Sequence, residues 1–388
     1  MEREPLSTRE ELRMNVELTE EQTLLQSTSR QFLDQALSLD ALRHRSENDL
    51  ALSRDFWSRA AALGWTSMFV PDDLNDPQSD APVRDLAIIA EEAGRSLESG
   101  SLLECNVVAY ALVNTGTTEV KAQLLPGLSD GSITASWAFA EGVDGWSVSD
   151  VRSRATVDGD DYVLNAQKST VVAATSADYF LVTAFVDDEL AQFLVPRDAP
   201  GVAITRLDAL DLSRDFGDVS FHDVRVKKAW RLGSPGESAD NDVERQWLLT
   251  ITLQCAQMAG MLDRVFNLTI DYAQDRYAFG RPIASYQALK HRLADHKVWL
   301  EAALGLSTGL TEAFASGDPG VAELACVAKA HVGDRSVEII SDCAQIFGGI
   351  SMTWEHDLHL YLRRATVDRV LYGSPTQLRE RLCQLVGL

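Results

Sequence analysis

Apolar residues recur every three to four positions over the first third of the chain, which predicts helices there. Leu25, Phe32, Leu33, Ala36 and Leu37 fall at helical spacing, and Leu18-Thr19-Glu20-Glu21-Gln22 supplies a capping box, with Thr19 as N-cap and Gln22 three residues on. Further helical segments are predicted near residues 55–63, stopping at Gly64, and 83–93, stopping at Gly94. From about residue 131 to 232 the pattern changes to short alternating or β-branched runs split by turn residues. Ala155-Thr-Val157, then Asp158-Gly159, then Tyr162-Val163-Leu164 is one such step, and runs at 180–186, 192–195, 202–204 and 218–221 continue the series. Closely spaced strands of this kind predict a small barrel or sandwich. Helical periodicity returns from about residue 238, with long patterns over 242–276 and 321–347. Helices of that length reach about 40 to 50 Å and, joined by short loops, form a bundle. The expected organisation is a loose extension over residues 1–15, a helical domain over 16–130, a β domain over 131–235 and a helical bundle over 236–388. The fold class is therefore α+β, mainly α.

Charge narrows the partners. The 388 residues carry 35 Lys plus Arg against 58 Asp plus Glu, a formal net charge of −23. Binding a phosphate backbone or an anionic membrane needs clustered cations, so neither nucleic acid nor membrane is expected as a partner. No apolar run approaches the roughly eighteen residues of a membrane span, and the first residues show no basic-then-apolar leader. Cys105, Cys255, Cys326, Cys343 and Cys383 are odd in number and widely spaced, without a C-x-x-C pair. That pattern predicts reduced, mostly buried thiols, no zinc site and a cytoplasmic setting.

Two motifs carry a resemblance. The run Tyr272-Ala-Gln-Asp-Arg276-Tyr-Ala-Phe279-Gly280-Arg-Pro282-Ile283, followed by Tyr286-Gln287 and His291-Arg-Leu-Ala-Asp295, resembles the acyl-CoA dehydrogenase family. Gln345-Ile-Phe-Gly348-Gly349-Ile-Ser-Met-Thr353-Trp354-Glu355-His356 is similar to that family's second hallmark, with Gly64-Trp65, Glu91-Glu92-Ala-Gly94-Arg95 and Leu125-Pro126-Gly127 as supporting marks. The resemblance spans roughly residues 16 to 388, and the stretch from Trp354 to Arg364 is similar to actinobacterial members acting on steroid or other bulky acyl thioesters. It implies an N-terminal helical domain, a central β domain and a C-terminal four-helix bundle, with FAD between the last two. It also implies homodimers, tetramers or heterotetramers with a related chain, an acyl thioester of CoA or a carrier protein as substrate, and an electron-transfer flavoprotein as acceptor. Arg276 would pair with the FAD pyrophosphate, because a guanidinium fork suits phosphate oxygens. Phe279 would pack near the adenosine, Gln287 would hydrogen-bond to the cofactor, and Gln345, Gly348 and Gly349 would bring backbone N–H groups to the phosphates, where a side chain would clash.

Measured against that family, the reacting end of the site departs. Dehydrogenation there needs a carboxylate to take the α-proton. Aligning Arg363-Arg364-Ala365 on the family's Arg-Asp-Ala segment puts Tyr372 at the usual position, before Gly373-Ser374, and the second family location falls on Thr250. A phenol with a pKa near 10 is a poor base at neutral pH. Glu244, six residues before Thr250, is the nearest upstream glutamate and the low-ranking candidate base; a solvated first-turn glutamate is the blander account of it. In Phe139-Ala140-Glu141-Gly142, Ala140 stands where the resemblance implies a flavin-contacting Thr, and Thr170 and Val172 stand where it implies a Trp and a Thr after Lys168. The residues kept are those that would clamp the ADP half of a neighbour's FAD. Those lost would serve the chain's own flavin ring. The expected activity is α,β-dehydrogenation of an acyl thioester, by a subunit sharing a FAD site with a related chain. The alternatives are a same-fold flavoenzyme with base-independent chemistry such as oxygenation, and a non-catalytic structural subunit. His356 and His359, three apart, and His291 and His296 are expected as packing or surface residues rather than metal ligands, and Glu91 and Glu92 point about 100° apart on a helix.

Overall fold

The computed structural model describes residues 18–40, 42–43, 53–71, 82–99, 101–142 and 145–388; the expected loose extension at 1–15 lies outside them. Helix α1 (Glu20–Ala36) starts at the foreseen capping box, with Gln22 N donating to Thr19 Oγ1 and Thr19 N donating to Gln22 Oε1, both at 3.2 Å. Its buried face meets α2 (Arg54–Ala62), where Phe32 lies 5.2 Å from Phe56 and edge-on to Trp65. Helices α3 (Val83–Arg95), α4 (Ser101–Thr115) and α5 (Thr118–Ser129) complete the first part. Helix α4 is buried over every residue from Ser101 to Val113, so it has no polar face and crosses the interior.

Eight strands follow: β1 (Ala135–Ala138), β2 (Arg154–Asp158), β3 (Asp161–Val172), β4 (Tyr179–Val186), β5 (Glu189–Pro196), β6 (Val202–Arg206), β7 (Phe216–Val226) and β8 (Arg231–Leu232). They form one sheet in the order β6-β7-β3-β2-β4-β5-β8, with β1 joined parallel to β4. Register shifts in β3 between Leu164 and Ala166, and between Lys168 and Val171, bend the sheet next to the loop that holds Glu141.

The last part begins with α6 (Asp240–Asp275), 36 residues long, and a short hairpin of β9 (Tyr277–Ala278) and β10 (Arg281–Pro282). Helices α7 (Gln287–Ser316), α8 (Val321–Phe347), α9 (Leu358–Asp368) and α10 (Pro375–Leu385) close it. Two glycines bring the first and last parts together. A Cβ on Gly94 of α3 would sit 1.9 Å from the Gln257 carbonyl oxygen, and one on Gly260 of α6 would sit 2.0 Å from that of Glu91. Only glycine permits helices to cross this closely. Of the five thiols, four are buried and Cys383 is exposed; all are free. No described helix is long and apolar enough to cross a membrane, and no group of three or more His, Cys, Asp or Glu among the described residues could hold a metal.

Candidate active site

Tyr372 sits just past α9 with φ +63°, ahead of Gly373 at φ +126°. Non-glycine residues rarely adopt the left-handed region, so the surroundings must hold it there. They do so from three sides. The Trp247 indole N–H of α6 donates to the Tyr372 carbonyl at 3.0 Å. The Trp146 ring meets the phenol ring edge-on at 5.0 Å. The phenol hydroxyl donates to the carboxylate of Glu104 on α4. Glu104 also accepts from the Trp137 backbone N–H at 2.9 Å and from the Ser136 hydroxyl at 3.5 Å. Both partners are buried. Burial pushes the Glu104 carboxyl up to about 7 against these hydrogen bonds. Burial, reinforced by the Glu104 charge, holds the Tyr372 phenol well above its ordinary value.

An ionic layer lies beneath this pair. Arg214 pairs with Asp368 at the end of α9 and donates to Gln257 Oε1 at 3.0 Å. Gln254 Nε2 lies 3.3 Å from Asp368 Oδ1, and Lys329 of α8 donates to the Asp368 carbonyl. Burial lowers the Lys329 ammonium to about 8. Beside them Arg364 meets Asp211 at 2.6 Å and donates to the Glu98 carbonyl at 2.7 Å. On the sheet side, Lys168 is fully buried and joined to Glu141 at 2.5 Å and to the Phe139 carbonyl at 3.1 Å. Burial lowers the Lys168 ammonium to about 8, opposed by the Glu141 charge. Glu141 is further held by the Ser153 hydroxyl and the Arg152 backbone N–H, both at 2.6 Å. Ala140 and Val172 are buried without a hydroxyl, and Trp137 and Phe139 stack 4.8 Å apart. Two surface cavities lie away from these residues. One of about 350 Å³ is lined by Thr117, Lys228 and Arg231, and one of about 320 Å³ by Arg30 and Asp34.

The other expected site residues lie together at one end of the bundle. Tyr272 near the end of α6 stacks on Phe347 at the end of α8, ring centroids 4.2 Å apart, which brings the β9–β10 hairpin and the turn after α8 to the same end. Arg276 is exposed and no described acidic side chain pairs with it. Phe279 is 98% exposed at φ +51°, and Tyr277 is 64% exposed. Gln287 opens α7 and bonds to His291 at 2.9 Å. Gln345 is exposed on α8, and Ile350, Met352 and Trp354 leave apolar surface in water nearby. Gly348 has φ +72°, with nothing within 4 Å of a Cβ at it or at Gly349. Within the chain, then, backbone conformation rather than crowding requires Gly348.

The remaining candidate residues are bonded elsewhere. The Glu244 carboxylate grips Arg381 of α10 at 2.5 Å, and that guanidinium lies over the Trp247 ring. Thr250 is buried, its hydroxyl bonded back to the Gln246 carbonyl at 2.8 Å. His356 precedes α9 and accepts from the Leu358 N–H at 3.1 Å, while His359 stacks on Trp354. His296 meets Asp342 at 2.5 Å, and Glu92 is buried against Arg30 at 2.7 Å. Sequence reasoning missed Glu104, Arg214 and Asp368. The available signal for Glu104 was one acidic residue inside an otherwise apolar helix from Leu102 to Val113.

A helical part, a bent sheet and a long-helix bundle thus meet at a buried ionic centre in a three-part α+β chain. The family models for the acyl-CoA dehydrogenase N-terminal, middle and C-terminal domains match residues 19–132, 136–224 and 252–384. The chain belongs to the acyl-CoA dehydrogenase family, a family of FAD oxidoreductases. It is 28% identical to the acyl-CoA dehydrogenase IpdE2 of Mycobacterium tuberculosis, over 94% of this chain and 96% of that one. Among solved structures it resembles the butyryl-CoA dehydrogenase of Megasphaera elsdenii, at 21% identity, TM-score 0.87 and coverage of 97% and 100%. It also resembles a Tcur3481–Tcur3483 steroid ACAD variant, at 26% identity, TM-score 0.83 and coverage of 95% and 98%.

The residues present fit FAD in one half. An exposed guanidinium without an acidic partner, a bare aromatic ring and an open glycine turn suit a diphosphate and an adenine. In the interior, Glu104 with Tyr372 and Lys168 with Glu141 are paired within the chain, while Trp137 Nε1, Arg214 Nε and Gln254 Oε1 are buried without a hydrogen-bond partner.

Proposed function

We propose that this chain is one subunit of a flavoprotein that carries out α,β-dehydrogenation of a bulky acyl thioester. In this reading it works with a related chain that holds the flavin ring and the base. The supporting observation is Phe279. A phenyl ring left 98% in water at φ +51° is costly surface unless something covers it, and it sits beside Arg276, whose guanidinium has no described acidic partner. An ADP moiety presented by a neighbouring subunit matches both: phosphate oxygens for Arg276, Gln345 and the Gly348–Gly349 turn, and adenosine for Phe279, with Gln287 within reach of the same face. The resemblance to a protein named as a Tcur3481–Tcur3483 steroid ACAD supports an assembly of two unlike chains. The electron acceptor in this reading is an electron-transfer flavoprotein.

Co-purification with related acyl-CoA dehydrogenase chains from the same source tests it. A mixed assembly carrying flavin, in which Arg276→Ala in this chain releases the flavin, is the expected result. A homo-oligomer of this chain alone that oxidises acyl-CoA at full flavin content would overturn it.

A further inference from the structure

One buried charge far along the chain from both regions has no counterion. Arg231 opens β8 and is 3% exposed. The buried guanidiniums of Arg214 and Arg364 are answered by Asp368 and Asp211. That of Arg231 meets only neutral acceptors: Nη1 donates to the Gly233 carbonyl at 3.3 Å and Nη2 to the Glu237 carbonyl at 3.5 Å, both at the long end of the range. Its Nε has no hydrogen-bond partner, and no described carboxylate pairs with the group. A charge removed from water needs an opposite charge to offset the loss of solvation. Arg231 lines the cavity of about 350 Å³ together with Thr117, Lys228, Ala229, Gly233 and Pro235. Thr117 is the N-cap of α5. Its hydroxyl accepts from the Val120 N–H at 3.3 Å and donates to the Ala229 carbonyl at 2.8 Å, which pins the 228–230 turn to that helix N-terminus. The Gly233 N–H donates to the Thr115 carbonyl at 2.8 Å and holds the other wall. Lys228 is exposed, and Glu119 in the first turn of α5 is exposed and does not line the cavity.

We infer that this cavity is a binding site for a phosphate-type oxyanion, with Arg231 at its inner end and Lys228 at its rim. A guanidinium, an ammonium and the positive end of a twelve-residue helix converge on one cavity that no acidic side chain lines, in a chain whose net charge is −23. That donor set suits a compact dianion with several oxygens: the guanidinium fork takes two, and the ammonium and helix end serve the others. Inorganic phosphate and the phosphoryl group of a small phosphomonoester offer the same oxygens. The bound anion would tie α5 to the 228–237 segment and so stabilise the junction of the helical part with the sheet. The site is independent of the shared FAD reading, because Arg276 and the Gly348 turn belong to other elements and line no part of it.

Calorimetric titration of the full chain with inorganic phosphate and with glycerol 3-phosphate tests it, alongside thermal unfolding in each anion. The expected result is saturable binding of at least one of them, with a raised unfolding temperature. Arg231→Met should abolish the binding. Lys228→Ala, at an exposed position and so expected to fold, should raise the dissociation constant about tenfold, from a lost charge-assisted hydrogen bond. Arg276→Ala should leave the binding unchanged, which separates this site from the proposed dinucleotide clamp. Tighter binding of glycerol 3-phosphate than of phosphate supports a phosphomonoester as the occupant, and equal binding supports free phosphate. The inference is overturned if neither anion binds saturably at millimolar concentration, or if binding survives both Arg231→Met and Lys228→Ala. It is also overturned if Arg231→Met does not fold and Lys228→Ala binds as the parent chain does. Arg231 would then only hold the 233–237 turn through its two carbonyls.

Discussion

Two regions of this molecule carry comparable chemistry and treat it in opposite ways. Around Tyr372, two carboxylates, a phenol, a guanidinium and an ammonium are buried and bonded within the chain, with Arg214 Nε and Gln254 Oε1 left without a partner. At the end of the bundle, Arg276, Phe279, Gln345 and the Gly348 turn stand in water without partners to match. Each arrangement alone has an ordinary explanation, a structured core in the first case and a variable surface in the second. Side by side they point to a division of labour. On the proposed reading, the groups that would recognise a dinucleotide at a subunit interface are kept available, while the inner groups bond mainly within the chain. Fold alone cannot distinguish the two cases, since both regions have the family's backbone.

The comparison can be broken by substitution. The largest effect is expected at the ionic layer: Arg214→Met leaves Asp368 buried without its cation and should cost about 3–5 kcal/mol in chemical denaturation. A pH series is next. Glu104 titrates near 7 in the fold against an ordinary value of 4.5, so the folded state binds its proton more tightly than the unfolded chain does. Its contribution is therefore fully present below about pH 4.5 and is lost as pH rises through about 7, by on the order of 3 kcal/mol. The groups facing it are Tyr372, Arg214 and its neighbour Cys105. Glu104→Gln should flatten that slope, and an unchanged slope in the variant would remove Glu104 as its source. Tyr372→Phe should follow at about 1–3 kcal/mol. Phe279→Asp, at the opposite region, should move the unfolding midpoint of the isolated chain by less than about 0.5 kcal/mol. Its effect should appear only in assembly and flavin retention, read by mass in solution and by absorbance.

Much of the outer region was legible in the sequence because motifs of special residues mark it. A glycine, an arginine and an aromatic ring in fixed order are local signals; Gly348 adopts a positive φ that suits glycine, whereas the positive φ of Phe279 had no signal in the sequence. The capping box at Thr19 and the long helices were legible for the same reason, their determinants lying within a few residues. The inner region was not. Helix α4 is buried on all sides, so it carries no amphipathic stripe and Glu104 reads as an isolated acid. Glu104 meets Tyr372 across 268 positions of chain, and Arg214 meets Asp368 across 154, distances over which no spacing rule operates. Glu244 was selected because it is close in sequence to Thr250, but its place on the helix turns it to Arg381. Gly94 and Gly260 show the same limit. Their need for a bare backbone arises from each other's helix and is invisible until the two cross.

The central claim is the proposed one, that this chain supplies the outer clamp of a FAD site shared with a related chain. The most direct measurement is the visible spectrum and flavin content of the chain purified alone, repeated after adding a related chain. The account predicts a colourless protein that acquires flavin only in the mixed assembly. A yellow protein with about one flavin per chain, bleached by acyl-CoA without any partner, would contradict it.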